Sequence, residues 1–215
     1  MAISTPGQIT AHNAPVSPST SFADIRQEYV DLFDRMQILP SKRVFVEQQV
    51  DRVAAAKPRY QSFVATLGAA IPWHGVALIH SMEKGSDVGK FLCHLHNGDP
   101  LSERTVHVPA NRPPPSVGDP PFSWEVSARD ALDIEGFLAE TDWSIPRLLY
   151  LLEKYNGFGS RRYHRIATAY LWSFSDLYAS GKYVADNTWD PAAVSMQVGA
   201  ATILKSIAAR GLLDP

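Results

Sequence analysis

A single glutamate, Glu83, closes residues 71–83, where Ile71, Gly75, Leu78, Ile79 and Met82 recur at helical spacing. Pro72 falls in the first turn, where the amide it lacks would be unpaired anyway. A carboxylate at the C-terminal end of a mostly buried helix is opposed as an anion twice over, by desolvation and by the negative end of the helix dipole. The spacing therefore predicts a raised pKa, which suits a general acid. An isolated helix-end glutamate is ordinarily a solvated charge, so its surroundings must decide. Five of the seven histidines lie between His74 and His107, and His80-x-x-Glu83 with His94-x-His96 offers four potential metal ligands. That spacing matches no standard zinc pattern. The expectation is therefore no metal and no cofactor, with the histidines hydrogen-bonding across the following segment and lining a polar cleft. Asp99 is the candidate for a second carboxylate role. It lies within Asn97-Gly98-Asp99-Pro100, where an aspartate can equally serve the turn by bonding local amides.

These residues need elements to hold them. Residues 84–91 read as a turn, and residues 94–108 as an antiparallel hairpin, because Asn97-Gly98-Asp99-Pro100 is followed by Arg104-Thr105-Val106-His107-Val108, which alternates like a strand. Upstream, Phe22, Ile25, Tyr29, Leu32, Phe33 and Met36 mark one face of an amphipathic helix that stops near Pro40. A second helix spans residues 42–67, interrupted or bent at Pro58. Residues 109–121 carry six prolines and predict an irregular surface connection. Ser123 can cap a helix over residues 124–132 with Glu125 in its first turn. Another helix over residues 145–155 starts near Pro146 and stops at Gly157. Residues 165–180 and 192–210 close the fold, the latter a buried helix carrying Val194, Val198, Ala201, Ile203, Leu204 and Ile207. Residues 1–21 are rich in Ser, Thr, Pro and Ala, the composition of a disordered arm. The reading is a mainly α fold, with residues 1–21 as the arm and 22–215 as one domain. Residues 22–40 form its N-terminal helical part, and 71–108 the helix and hairpin that carry the site.

Four blocks carry a resemblance: Ile79-His80-Ser81-Met82-Glu83, His94 through Leu101, Arg104 through Ala110, and Tyr155-Asn156-Gly157-Phe158-Gly159. Together they resemble a bacterial and phage lysozyme family group within the lysozyme and lytic transglycosylase superfamily, over roughly residues 39–213. The resemblance implies a lysozyme-like, two-lobed helical domain with one small antiparallel hairpin beside its cleft. It implies cleavage of the β-1,4 bond between N-acetylmuramic acid and N-acetylglucosamine in peptidoglycan, with Glu83 delivering a proton to the leaving oxygen. Glu83, Asp99 and Thr105 resemble the Glu, Asp and Thr of phage-type lysozymes, although the gap from Glu83 to Asp99 is longer here. Tyr155-Asn156 resembles the tyrosine-asparagine pair of lytic transglycosylases, which leave 1,6-anhydro ends. His94, His96, Asn97, Tyr155, Asn156, Tyr170 and Trp172 are the candidate substrate-binding residues; Tyr170 and Trp172 can stack on sugar rings but are equally at home in a core. The chain departs from the group at Lys84, where a serine is expected, and at Ser160, where an aromatic residue is. The rival readings are a non-catalytic glycan-binding or particle-structural protein, and a histidine-rich metal enzyme.

Composition narrows the partners. The 215 residues carry a formal charge of −2 with both signs interspersed, so no basic face points to nucleic acid. One cysteine, Cys93, excludes an intramolecular disulfide framework. No segment is apolar enough to span a bilayer, and residues 1–21 lack the basic and apolar regions of a signal peptide. The expectation is a monomer made in the cytoplasm that meets peptidoglycan strands after release or delivery by another route.

Overall fold

The structure is a computed structural model that describes residues 9–84, 89–185 and 187–213. Seven α-helices are described: α1 (Phe22–Arg35), α2 (Arg43–Ala65), α3 (Trp73–Lys84), α4 (Trp124–Ile134), α5 (Ile145–Asn156), the single turn α6 (Ala169–Trp172) and α7 (Ala200–Ala209). Two short strands, β1 (Lys182–Ala185) and β2 (Thr188–Asp190), form an antiparallel hairpin in which Lys182 faces Asp190 and Tyr183 faces Trp189. The chain is thus mainly α with one small two-stranded sheet. No helix among the described residues is long and apolar enough to cross a membrane.

α3 is the element the others enclose. Trp73, Val76, Ala77, Leu78, Ile79 and Met82 are all buried, and so are its polar residues His80 and Ser81. A helix buried on every side must satisfy such groups internally. Ser81 Oγ donates to the Ala77 carbonyl at 2.7 Å, and His80 Nδ1 shares a 2.7 Å hydrogen bond with the Tyr60 hydroxyl of α2. α2 and α7 pack on α3, α7 also packs on α6, and α1 lies against α5. α2 runs unbroken through Pro58, which sits on its exposed side. Ser123 caps α4 by accepting the Val126 amide, and Gly157 follows α5 at φ +88°, as the sequence predicts for both ends.

Three further expectations, besides the break at Pro58, are corrected. Residues 9–21 are not a disordered arm: Ala14 and Val16 are buried, and the His12, Ala14 and Val16 amides donate to the Asp176, Leu177 and Arg165 carbonyls at 2.9–3.1 Å. Small residues suffice there because backbone pairing, not bulk, holds the segment. Residues 1–8 lie outside the described part.

The hairpin is not at residues 94–108 but at 182–190. Across 94–108 the ladder is reduced to a single bridge between Cys93 and Pro100. Pro100 has no amide to extend it, and the side chains of Asn97, Asp99 and Thr105 take up the backbone groups that a second strand would need.

The last helix is shorter than the apolar pattern, α7 beginning only at Ala200. Residues 193–199 run irregularly across the end of α3, where Gln197 Nε2 donates to the carbonyls of Ser81 at 2.9 Å and Met82 at 2.7 Å. Gly199 permits this crossing, since a Cβ there would lie 2.3 Å from the Leu171 carbonyl oxygen.

Candidate active site

Glu83 emerges from the C-terminal turn of α3 into an open cleft of about 780 Å³. One side of the cleft is α2, through Phe45, Gln48, Gln49 and Arg52; the other is the 195–198 segment and Lys182 of β1. The carboxyl is only partly exposed, and Oε1 accepts the Tyr170 hydroxyl at 3.3 Å. Burial dominates its ionisation and pushes the pKa up to about 8, the Tyr170 hydrogen bond offsetting part of that rise. The shift carries Glu83 toward its protonated, neutral form at neutral pH. Tyr155 lies close enough that the Glu83 charge, after burial, helps drive its own hydroxyl well above the usual phenol range. Its hydroxyl donates to the Leu95 carbonyl at 2.6 Å, tying α5 to the loop after α3.

The structure thus brings Glu83, Tyr170 and Tyr155 together. Asn156, next in sequence, lines an adjoining recess with Ser160, Thr168 and Tyr170. Trp172 is wholly buried and belongs to the core rather than to the cleft. The residues 85–88 that follow α3 lie outside the described part, as does the Lys84 side chain. Among the described residues lining the cleft, Glu83 is the only carboxylate.

The candidates of the 94–108 segment do other work. Asp99 Oδ2 accepts the Val106 and His107 amides at 2.8 and 3.0 Å, and Oδ1 pairs with His107 Nδ1 at 2.6 Å. Burial pushes the Asp99 carboxyl up, but these bonds, the His107 amide foremost, outweigh it and hold the pKa below the usual range. Thr105 Oγ1 donates to the Pro109 carbonyl at 2.5 Å and accepts the Arg112 amide at 2.9 Å. Asn97 Nδ2 reaches the His107 carbonyl at 3.0 Å. All three knit the loop that the prolines of residues 109–121 continue. We expect Asp99→Asn to cost about 1–3 kcal/mol of stability. Because the Asp99 pKa is depressed on folding, its contribution is complete above the ordinary aspartate pKa and lost as pH falls through the folded value. Urea titrations at neutral and acidic pH check this: the gap between the wild type and Asp99→Asn should close in acid.

The histidines do not converge. His80 is enclosed with Tyr60, Phe91 and Trp124, and burial lowers its pKa to about 4. His94 bonds Ser127 Oγ and the Glu103 carbonyl, both at 2.7 Å. His96 Nε2 bonds Asp130 at 2.9 Å, and burial lowers its pKa to about 4 against the pull of that carboxylate. No group of three His, Cys, Asp or Glu side chains placed to share a metal ion occurs among the described residues.

Several groups in the cleft escaped the sequence reading. Lys182 and Gln197 carry no pattern of their own and reach the cleft only through tertiary placement. The hairpin that brings Lys182 did leave a signal: Tyr183-Val184 and Thr188-Trp189 are β-formers on either side of Asp186-Asn187, a turn pair. Comparison of this chain with models of known protein families, with curated protein sequences and with solved structures finds no match.

Proposed function

We propose that this protein cleaves the β-1,4 bond between N-acetylmuramic acid and N-acetylglucosamine in peptidoglycan, with Glu83 as the general acid. The observation that carries the reading is a largely buried glutamate at the end of α3, with one oxygen bonded to Tyr170, at the edge of an open cleft of about 780 Å³. Breaking a glycosidic bond needs a proton on the leaving oxygen as the anomeric centre gains positive charge, and a carboxyl of raised pKa supplies it. Gln48, Gln49, Arg52, Lys182 and Gln197 border the cleft with groups able to bond hydroxyls, amides and carboxylates. The lysozyme-like arrangement belongs to this proposal: a catalytic helix end, a cleft and a hairpin at its side, the hairpin being β1–β2.

Hydrolysis and lytic transglycosylation share this acid and differ in the nucleophile. A hydrolase requires a second carboxylate or a held water opposite the bond. In the described lining Glu83 stands without a second carboxylate, and Asp99 spends both oxygens on its own loop. Tyr155, which lies within electrostatic reach of Glu83 and belongs to the Tyr155-Asn156 pair, supports attack by the substrate's own muramyl hydroxyl, with Glu83 taking back the proton as base. Purified sacculi digested with the protein should therefore yield fragments ending in 1,6-anhydromuramic acid, lighter than the hydrolytic product by the mass of one water. Reducing ends throughout would assign the hydrolytic route, and intact sacculi would remove the proposal.

A further inference from the structure

Two further recesses continue from the Glu83 cleft along the hairpin. The first, about 180 Å³, shares Met82, Lys182, Ser195 and Gln197 with the cleft. The second, about 500 Å³, shares Asn156, Ser160 and Tyr183 with the first and is lined also by Tyr163 and Asn187. The chain has built this end with rings. Tyr183 lies against Gly159, where an added Cβ would come within 2.7 Å of Cε2, and Trp189 lies against Gly181 in the same way, 2.7 Å from Cζ2. His164 stacks on Trp189 with centroids 3.7 Å apart and planes 9° from parallel, and Tyr183 meets Trp189 edge-on at 5.1 Å. Tyr183 is nevertheless 36 % exposed and Tyr163 67 % exposed. A two-stranded ribbon gains little by holding ordered rings toward solvent unless something covers them.

We infer that the groove extends from Glu83 past Lys182 to a saccharide platform on Tyr183, so that the ligand is a glycan strand several sugars long. The inference rests on the proposed function for its choice of polymer and deepens it by adding a remote subsite. A pyranose has one apolar face, which an aromatic ring covers, and a rim of hydroxyl and acetamido groups, which Asn156 and Asn187 can bond. Lys182, between the two ends and with no carboxylate partner among the described residues, adds a positive charge that suits the carboxylates of muramyl units. Ring rather than hydroxyl is the recognising part of Tyr183, since its hydroxyl already faces His164 Nε2 at 3.3 Å.

The test uses the full chain carrying Glu83→Gln, so that binding is read without turnover, and a β-1,4-linked N-acetylglucosamine hexamer as the probe. Calorimetry should show Tyr183→Ala weakening the hexamer by roughly tenfold, Tyr183→Phe binding like the parent, and melting temperatures staying within a few degrees. Gly159→Ala, which displaces the ring without removing it, should weaken binding in the same direction. Equal affinity in Tyr183→Ala and its parent, or no hexamer binding to the parent, overturns the platform. The two readings fail separately. Tyr183-dependent binding with sacculi left uncut by the wild type removes the role of Glu83 and keeps the groove. Cleavage by the wild type with hexamer affinity indifferent to Tyr183 does the reverse.

Discussion

Glu83→Gln should lower the rate of peptidoglycan cleavage by about a hundredfold or more, the scale on which removal of a general acid is felt. The amide keeps the volume and can still meet the Tyr170 hydroxyl, but it has no proton to give to a leaving oxygen. Ground-state binding should survive, so the loss falls on kcat rather than KM. The wild-type rate should hold at neutral pH and fall as pH rises through about 8, where the carboxyl ionises. Stability follows with a definite sign. The folded pKa lies above the ordinary glutamate value, so the native state binds the extra proton. The wild type accordingly loses stability between pH ~4.5 and ~8, at up to about 1.4 kcal/mol per unit. Glu83→Gln carries no such penalty and should melt higher than the wild type in mild alkali, while the two converge in acid. A variant that cuts sacculi at the wild-type rate would remove Glu83 from the chemistry.

The largest loss of stability is expected from Arg161. This side chain is 1 % exposed and pairs with the equally buried Glu153 through Nε and Nη2, both at 3.1 Å. Its Nη1 reaches Glu28 at 2.5 Å and the Ser17 carbonyl at 2.9 Å, and the Tyr29 hydroxyl donates to Glu153 at 2.5 Å. One guanidinium thus ties residues 9–21, α1, α5 and the turn over Ser160–His164 into a single unit. Burial opposes the charge on Arg161, yet the carboxylate of Glu153 more than compensates and its pKa rises. Arg161→Met leaves Glu153 as a buried anion with only Tyr29 for company. A loss of about 3–5 kcal/mol is expected, which for a chain of this length lowers the melting temperature by on the order of 10 °C. Adding Glu153→Gln should restore part of it, since the uncompensated charge and not the missing contact carries most of the cost. Urea unfolding of the single and double variants checks both points; a loss under 1 kcal/mol in Arg161→Met, against the usual cost of a broken buried pair, would show that the network contributes little.

How much of this was legible in the sequence differs from element to element. The α3 helix, its buried faces and its terminal glutamate follow from the spacing of Leu78, Ile79 and Met82 with a polar break after them, because a 3.6-residue period is a local property. The Ser123 cap and the stop at Gly157 are local as well. The Arg161 network was invisible, since its members Ser17, Glu28, Glu153 and Arg161 are up to 144 residues apart and meet only in the folded chain.

Asn97-Gly98-Asp99-Pro100 was readable as a turn but not as the end of a ladder. That outcome hung on side chains competing with a second strand for the same backbone groups, a contest propensity alone does not settle. Residues 182–190 show the reverse: two strands of four and three residues carry too little alternation to stand out, although Tyr183, Val184, Thr188 and Trp189 are β-formers. The packing of residues 9–21 depends on backbone pairing with residues 165–177, which composition does not encode.

To act as the acid Glu83 must be neutral where the chemistry is done, and the direct measurement is the titration of its carboxyl carbon by NMR in the folded wild-type protein. A midpoint near pH 8, coinciding with the pH at which cleavage of sacculi fades, is the predicted result. A midpoint at the ordinary glutamate value would make Glu83 an anion at neutral pH with no proton to donate, and would contradict the account.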